Sequence, residues 1–85
     1  MTEFSERVIR IIAAIPPGEI MTYGEVSRAA GSARGARQVS RLLHSCTGKY
    51  DLPWHRVVGK GPRISLPGEG GLIQRKLLEE EGVFL

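Results

Sequence analysis

The sequence has little of the chemistry that marks a metal or disulfide protein. Its 85 residues include one cysteine, Cys46, and two histidines, so neither an intrachain disulfide nor a cysteine-based metal site can form. The histidines also lack the His-x-Glu and His-x-x-x-His spacings of common metal sites. We therefore expect no metal and no cofactor, and a lone cysteine is typical of a reducing cytoplasm.

Long apolar runs are missing as well. No stretch approaches the roughly 18 apolar residues that cross a bilayer, and the first residues lack the basic and apolar regions of a signal peptide. We expect a cytoplasmic protein, nucleoid-associated if bacterial, with no membrane contact. The length predicts a single domain over residues 1–85 with one small core. Since nothing suggests a dimer, we expect a monomer.

Positive charge dominates only part of the chain. The net charge is +3. Residues 1–68 carry ten Lys and Arg against five Asp and Glu, which gives +5, whereas residues 69–85 carry two against four, which gives −2. A basic body of this kind favours a nucleic-acid partner, although many small basic proteins bind none.

Two helices are predicted in the first third of the chain. Pro16-Pro17-Gly18 ends the first of them. A capping box formed by Thr22 and Glu25 begins the second, and Gly31 is expected to end it. The apolar residues of the first helix recur with the spacing of one helix face: Phe4, Val8, Ile11, Ile12 and Ile15.

A third helix is predicted to expose a face of mostly small side chains. Ser32 can cap it, and it extends to about Ser45 or Cys46, which makes a helix-turn-helix with the second helix. Its apolar face holds Val39, Leu42, Leu43 and Cys46, and the opposite face holds Ala33, Arg37, Ser40 and His44, flanked by Arg34 and Arg41 on one side and Ala36 on the other. One long arginine among small neighbours suits the minor groove better than base reading in the major groove.

The second half of the chain predicts a hairpin and a last helix. Residues 56–58 and 63–66 could pair as a wing-like hairpin. The helix is expected over about Gly71 to Glu81, with Ile73 and Leu77 inward. Its final glutamates oppose the helix dipole, so some of them are expected to have a cationic partner elsewhere, for which His55 or Arg56 is a candidate.

The stretch Pro53-Trp54-His55-Arg56-Val57 contains the obvious candidate for acid–base chemistry. His55 could act as an acid or base, but a histidine fixed by a hydrogen bond is the more common case, and the indole of Trp54 beside it offers no nucleophile. Trp54 could equally anchor the loop or line a pocket. Tyr23 could bind a phosphate at a helix N-terminus, although a core position is favoured.

Three motifs, taken together, resemble a known family: Thr22-Tyr23-Gly24-Glu25-Val26, Ala36-Arg37-Gln38-Val39 and Pro53-Trp54-His55-Arg56-Val57-Val58. They match the C-terminal domain of the O6-alkylguanine-DNA alkyltransferases over about Phe4 to Gly82. That family transfers an alkyl group to the Cys of a Pro-Cys-His-Arg-Val motif, and Trp54 stands there in this chain. The substitution is typical of the non-enzymatic alkyltransferase-like proteins. The fold implied is α+β, mainly helical, a small winged helix-turn-helix domain.

The resemblance implies a role for each matching residue. Arg37 would enter the base stack, and Tyr23 would rotate the phosphate of the flipped nucleotide. His55 and Glu81 would remain as a structural hydrogen-bonded pair, with no catalytic residue. The implied DNA-binding residues are Tyr23, Arg34, Ala36, Arg37, Gln38, Ser40 and Arg41. The implied lesion pocket is formed by Tyr23, Leu43, Trp54, Val57, Ile64, Ser65, Leu66 and Pro67.

The function implied is that of a damage sensor. The protein would bind double-stranded DNA containing O6-alkylguanine, flip the base, and flag the lesion to nucleotide excision repair proteins. The alternatives are a winged-helix regulator without lesion specificity and an enzyme using His55 or Cys46. Two positions depart from the family: Pro67 replaces a pocket arginine of some relatives, and Cys46 falls where the enzymes carry Asn.

Overall fold

Four helices and one pair of short strands make up the fold. The computed structural model describes residues 2–85, with side chains described over 2–45 and 51–85. The helices are α1 (Glu3–Ala13), α2 (Tyr23–Ala29), α3 (Ala36–Tyr50) and α4 (Gly68–Glu80), the strands are β1 (Met21–Thr22) and β2 (Val57–Val58), and a 3-10 turn spans Trp54–Arg56. The prediction of a mainly helical α+β fold is confirmed.

Helix α1 is amphipathic, as the apolar spacing predicts. Thr2 caps it, because the Thr2 Oγ1 accepts a hydrogen bond from the Ser5 N–H at 3.1 Å. Val8 and Ile12 are fully buried. The helix ends at Ala13, just before the Pro16-Pro17 pair that cannot continue it. Its buried face forms one wall of the core.

Helix α2 has both of the ends that the sequence predicts. The Thr22 Oγ1 accepts from the Glu25 N–H at 3.1 Å, while the Glu25 Oε1 accepts from the Thr22 N–H at 2.8 Å. This reciprocal pair is a capping box. At the other end Gly31 has a φ of +100°, and the next amide, of Ser32, donates to the Ser27 carbonyl at 2.9 Å. This is the glycine-terminated Schellman arrangement.

Helix α3 begins later and ends later than predicted. It spans Ala36–Tyr50, so Ala33 lies outside it and Ser32 does not cap it. The reason is Ser27, a buried side chain whose Oγ donates to the Ser32 carbonyl at 2.6 Å and accepts from the Gly35 N–H at 2.8 Å. Because these bonds satisfy the backbone of the connection, it needs no helical turn.

The predicted wing-like hairpin is wrong. Strand β2 instead pairs in parallel with β1, with Met21 opposite Val57 and Thr22 opposite Val58. The hairpin is reduced to a single antiparallel bridge between Gly59 and Arg63, joined by hydrogen bonds of 2.7 and 3.0 Å. The partner strand of β2 is therefore β1, which lies just before the helix-turn-helix and is distant from β2 in sequence.

Helix α4 buries a different face from the one predicted. It begins at Gly68 rather than Gly71 and presents Gly71, Gln74 and Leu78 to the interior. Ile73 is 48% exposed, so its predicted inward position is wrong. The apolar pattern could not show this, because the buried position belongs to Gln74, whose Nε2 donates to the carbonyls of His55 at 3.1 Å and Val57 at 2.9 Å.

In the part of the chain that the structure describes, no helix is long and apolar enough to cross a membrane.

The core lies where α1, α2 and α3 meet the segment 52–57. The buried cluster consists of Val8, Ile12, Ile15, Val26, Ala30, Val39, Leu43, Leu52 and Val57. It holds α3 and the Trp54–Arg56 turn in fixed positions on either side of the site described next.

Candidate nucleic-acid interface

A largely apolar pocket of about 440 Å³ opens between helices α2 and α3, the Trp54–Arg56 turn and the start of α4. We call it the lesion pocket, after the role that the resemblance implies. Five of the eight residues assigned to it from the sequence line it: Tyr23, Leu43, Trp54, Leu66 and Pro67. These residues come from four separate segments, so the fold brings them together.

Three further residues line the lesion pocket without having been assigned to it: Ser40, His44 and Gly70. Ser40 and His44 are one turn apart on α3, and His44 directly follows Leu43. Ser40, three residues before Leu43, could have been indicated by helical spacing, whereas His44 becomes a wall residue only through the segment that lies opposite α3. Gly70 lies in the first turn of α4, and the predicted helix start placed it in a loop.

Three residues assigned to the lesion pocket do not line it. Val57 is fully buried, because it is paired with β1 in the core. Ile64 lies against helix α4, where a Cβ on Gly71 would be 3.4 Å from its Cγ2. Ser65 packs beside Gly59, since a Cβ there would be 3.2 Å from its Cβ. In place of a paired strand, the segment before them has only the Gly59–Arg63 bridge.

The solvent-exposed side of the helix-turn-helix continues from the lesion pocket. Arg37, Gln38, Ser40 and Arg41 are exposed on α3, Arg34 is exposed just before it, and Ala36 is half-buried. No ion pair involves Arg34, Arg37 or Arg41 among the side chains of 2–45 and 51–85. Ser40 belongs to both this face and the pocket wall. Ser40 therefore connects the basic exposed face of α3 to the pocket.

The sequence left open whether Tyr23 and Trp54 pack in the core or face a binding site, and in the structure each of them does both. Both pack against the buried core, and both line the lesion pocket. Tyr23 is the first residue of α2, where backbone N–H groups favour an anion. The Trp54 ring meets the His55 ring edge-on, with centroids 6.2 Å apart. Core packing thus fixes the two aromatic walls of the pocket.

His55 points away from the lesion pocket and toward Glu81. Its Nε2 lies 2.9 Å from the Glu81 Oε2. Arg56 donates to the same carboxylate from Nε at 3.0 Å and from Nη2 at 2.6 Å. A bidentate pair of this kind is a strong charge-assisted contact. The sequence suggested His55 or Arg56 as the partner of a glutamate at the end of α4, and both contact Glu81 simultaneously.

The Glu81 carboxylate is held in its charged form. The hydrogen bonds from Arg56, with help from His55 and the Gly18 N–H, lower the pKa of Glu81 to about 2, against the opposing effect of burial. The same contact raises the pKa of Arg56. Arg56 also donates from Nη1 to the Ile15 carbonyl at 2.8 Å. The cluster thus joins the Trp54–Arg56 turn to the ends of α1 and α4.

Few groups that could carry a reaction lie at the pocket among the described side chains. Groups of three or more His, Cys, Asp or Glu that could hold a metal ion do not occur among the side chains that the structure describes. His55 is not among the residues that line the lesion pocket. The side chain of Cys46, predicted to pack on the apolar face of its helix, lies outside the described residues. The pocket wall is mostly apolar and includes two aromatic side chains, Tyr23 and Trp54.

A helix-turn-helix whose exposed second helix borders an aromatic pocket defines a class of DNA-binding domain. The chain belongs to the family of the 6-O-methylguanine DNA methyltransferase DNA-binding domain, whose model matches residues 3–83. It is 48% identical over 82 residues to the DNA base-flipping protein of Escherichia coli, covering 96% of this chain and 64% of that relative. It therefore spans less than two thirds of that relative's length. Alkyltransferase-like protein 1 of Schizosaccharomyces pombe is 38% identical over 85 residues, covering 98% and 79%.

Solved structures show the same similarity. S. pombe Atl1 in complex with damaged DNA containing O6-carboxymethylguanine matches with a TM-score of 0.85 at 38% identity, covering 98% of this chain and 79% of that one. The Mycobacterium tuberculosis OGT in complex with DNA matches with a TM-score of 0.74 at 31% identity, covering 95% and 50%. The predicted resemblance to the alkyltransferase-like branch is confirmed by these relatives.

Proposed function

We propose that this protein binds double-stranded DNA containing O6-alkylguanine, flips the altered base into the lesion pocket, and performs no reaction on it. The observation that carries the proposal is the position of the 440 Å³ pocket, with Trp54 in its wall, beside the exposed face of α3. The relatives named for base flipping and the Atl1 complex with damaged DNA support the same conclusion.

Damage itself supplies the selectivity. Extruding a base costs a few kcal/mol, and it costs less when the base is damaged and mispaired. The apolar and aromatic wall of the pocket, with Leu43, Trp54 and Leu66, then gains contact with the added alkyl group. Both effects favour the alkylated base over guanine without any covalent step.

The absence of turnover follows from Trp54. By the family resemblance this is the position of the alkyl-accepting cysteine, and an indole has no nucleophilic atom to accept an alkyl group. His55 therefore has no nucleophile to activate at position 54, and it is held by Glu81 at 2.9 Å. A protein that binds and does not react leaves a lasting complex, and we propose that nucleotide excision repair proteins recognise it.

Two side chains would carry the flipping step. Arg37 is exposed on α3 among small neighbours, so it can enter the stack and hold the place of the extruded base. Tyr23 lines the pocket at the first turn of α2 and would rotate the phosphate of the flipped nucleotide. Arg34, Ala36, Gln38, Ser40 and Arg41 would contact the groove and the backbone.

A paired titration tests the proposal. The protein is added to one duplex carrying a single O6-methylguanine and to the same duplex carrying guanine, at one salt concentration because such affinities depend on salt. We expect tighter binding of the alkylated duplex, with unchanged masses of protein and DNA. Equal affinity would favour a regulator without lesion specificity, and a methyl group on the protein or an abasic site would show an enzyme.

The same titration tests Arg37. Arg37→Ala is expected to weaken binding of the alkylated duplex at least about tenfold, since it removes the group that replaces the flipped base. Arg10→Ala removes an exposed arginine from the far end of α1 and is the matched control. Arg10→Ala should lower the affinity for both duplexes slightly and by the same factor. An unchanged affinity of Arg37→Ala would exclude its assigned role.

A further inference from the structure

One wall residue of the lesion pocket differs in kind from the rest. His44 lies on α3 one turn after Ser40, and its side chain is exposed. Among the described residues that line the pocket, only His44 can carry a positive charge, and none carries a carboxylate. Glu69, whose neighbour Gly70 lines the pocket, is itself exposed and is not part of the wall.

The remaining wall has no side chain that can carry a positive charge. Leu43, Leu66 and Pro67 offer apolar contact, and Trp54 and Tyr23 offer aromatic faces. Apolar contact discriminates weakly, because one methylene more or less in such a pocket changes binding only modestly. A group that must be hydrogen-bonded discriminates far better, since an unpaired polar group in the pocket is costly. His44 and Ser40 are the polar side chains on the α3 side of the opening.

We propose that His44 makes the lesion pocket selective for O6-alkylguanines whose adduct ends in a carboxylate, such as O6-carboxymethylguanine, by donating a charge-assisted hydrogen bond to that carboxylate. The inference rests on the proposed function and names its preferred substrate class. An anionic adduct would gain this bond and meet no carboxylate in the wall. A methyl adduct would use only the apolar and aromatic faces.

Three duplexes of one sequence test the inference, with O6-carboxymethylguanine, O6-methylguanine or guanine at one position. The full chain is expected to prefer the carboxymethyl duplex to the methyl duplex. His44→Gln keeps about the same size and a hydrogen-bond donor but has no group that can be protonated to a cation. It should weaken carboxymethyl binding about fivefold and leave methyl binding within about twofold. His44→Lys, which restores a cation, should keep the preference.

Arg41→Gln is the matched control. Arg41 is exposed three residues before His44 on the same helix, and it lines a different groove with Phe4 and Leu42. Its removal should weaken all three duplexes about equally, because a phosphate contact is indifferent to the adduct. If His44→Gln weakens binding of all three duplexes equally, or of none, the selectivity proposal is overturned and the proposed function stands. If the unaltered chain cannot distinguish either alkylated duplex from guanine, the proposed function itself fails.

Discussion

At the scale of the residue, Glu81 has the largest electrostatic role in the described structure. Its carboxylate contacts His55 at 2.9 Å and Arg56 at 2.6 Å, and its Oε1 accepts from the Gly18 N–H at 3.3 Å. Glu81 is the C-cap of α4, where the helix dipole disfavours an anion. The cationic and N–H partners outweigh that effect, and they fix the turn that carries Trp54.

Glu81→Gln is expected to lower the free energy of unfolding at pH 7 by about 2 kcal/mol, because it removes charged hydrogen bonds and leaves Arg56 without its partner. The folded-state pKa of about 2 is below the usual value of 4.5. The stabilisation is therefore complete above about pH 4.5 and is lost as the pH falls toward 2.

Urea unfolding of both proteins at several pH values measures this difference. The gap between them should close as the solution is acidified. Glu80→Gln changes the preceding, exposed carboxylate, and it should alter stability by less than about 0.5 kcal/mol. A gap that stays constant from pH 7 to pH 2 would mean that the carboxylate is not the source of the stabilisation.

At the scale of the element, α4 supports the lesion pocket through a close approach to the segment before it. A Cβ on Gly71 would overlap the carbonyl oxygen of Leu66 and lie 3.4 Å from the Ile64 Cγ2. Leu66 lines the pocket. Gly71→Ala is therefore expected to cost about 1–3 kcal/mol, as overpacking usually does, because the obstacle is backbone and cannot rotate away.

Gly70→Ala is the matched control on the same turn. Its new Cβ would meet only the Leu66 Cδ1, at 3.8 Å, and alanine has the higher helix propensity. Urea unfolding should show Gly70→Ala to be as stable as the unaltered chain or more stable. Equal stabilities for the two variants would show that α4 can move away from Leu66 freely.

The elements also show which parts of the fold the sequence could predict. The predicted ends of α2 were correct, because they depend on local interactions: the Thr22–Glu25 capping box and the positive φ of Gly31. The start of α3 was not, because it depends on Ser27, a buried hydroxyl that bonds eight residues ahead. The parallel pairing of Met21 with Val57 joins distant segments, and no local pattern indicates such a contact.

The site divides in the same way. The motifs identified the pocket residues that belong to rigid elements, such as Tyr23 and Trp54. They failed for Ile64 and Ser65, which contact Gly71 and Gly59 and do not line the pocket. His44 was visible as an exposed residue of α3, but only the position of α4 and Leu66 opposite α3 makes it part of a pocket wall.

At the scale of the whole molecule, the proposed function gives the surface charge and the lesion pocket separate roles. The net charge of +3 is uneven, and Arg34, Arg37 and Arg41 cluster on the helix-turn-helix while Glu79 and Glu80 lie at the far end of α4. Phosphate contacts supply affinity for any duplex and carry no information about the base. In the proposed function, the lesion pocket, with its apolar wall, is where an alkylated base would be distinguished from guanine.

This division predicts a specific response to salt. Affinity for a guanine duplex should fall with added salt, with a logarithmic slope of about −1.8 if Arg34 and Arg41 each neutralise one phosphate, since Arg37 is assigned to the base stack. Affinity for the O6-methylguanine duplex should fall with the same slope, because the methyl group adds no charge. The ratio of the two affinities, measured by titration at several salt concentrations, is therefore expected to stay constant. A ratio that declines with salt would instead place the discrimination in the phosphate contacts, and the pocket would then not be the part of the molecule that recognises damage.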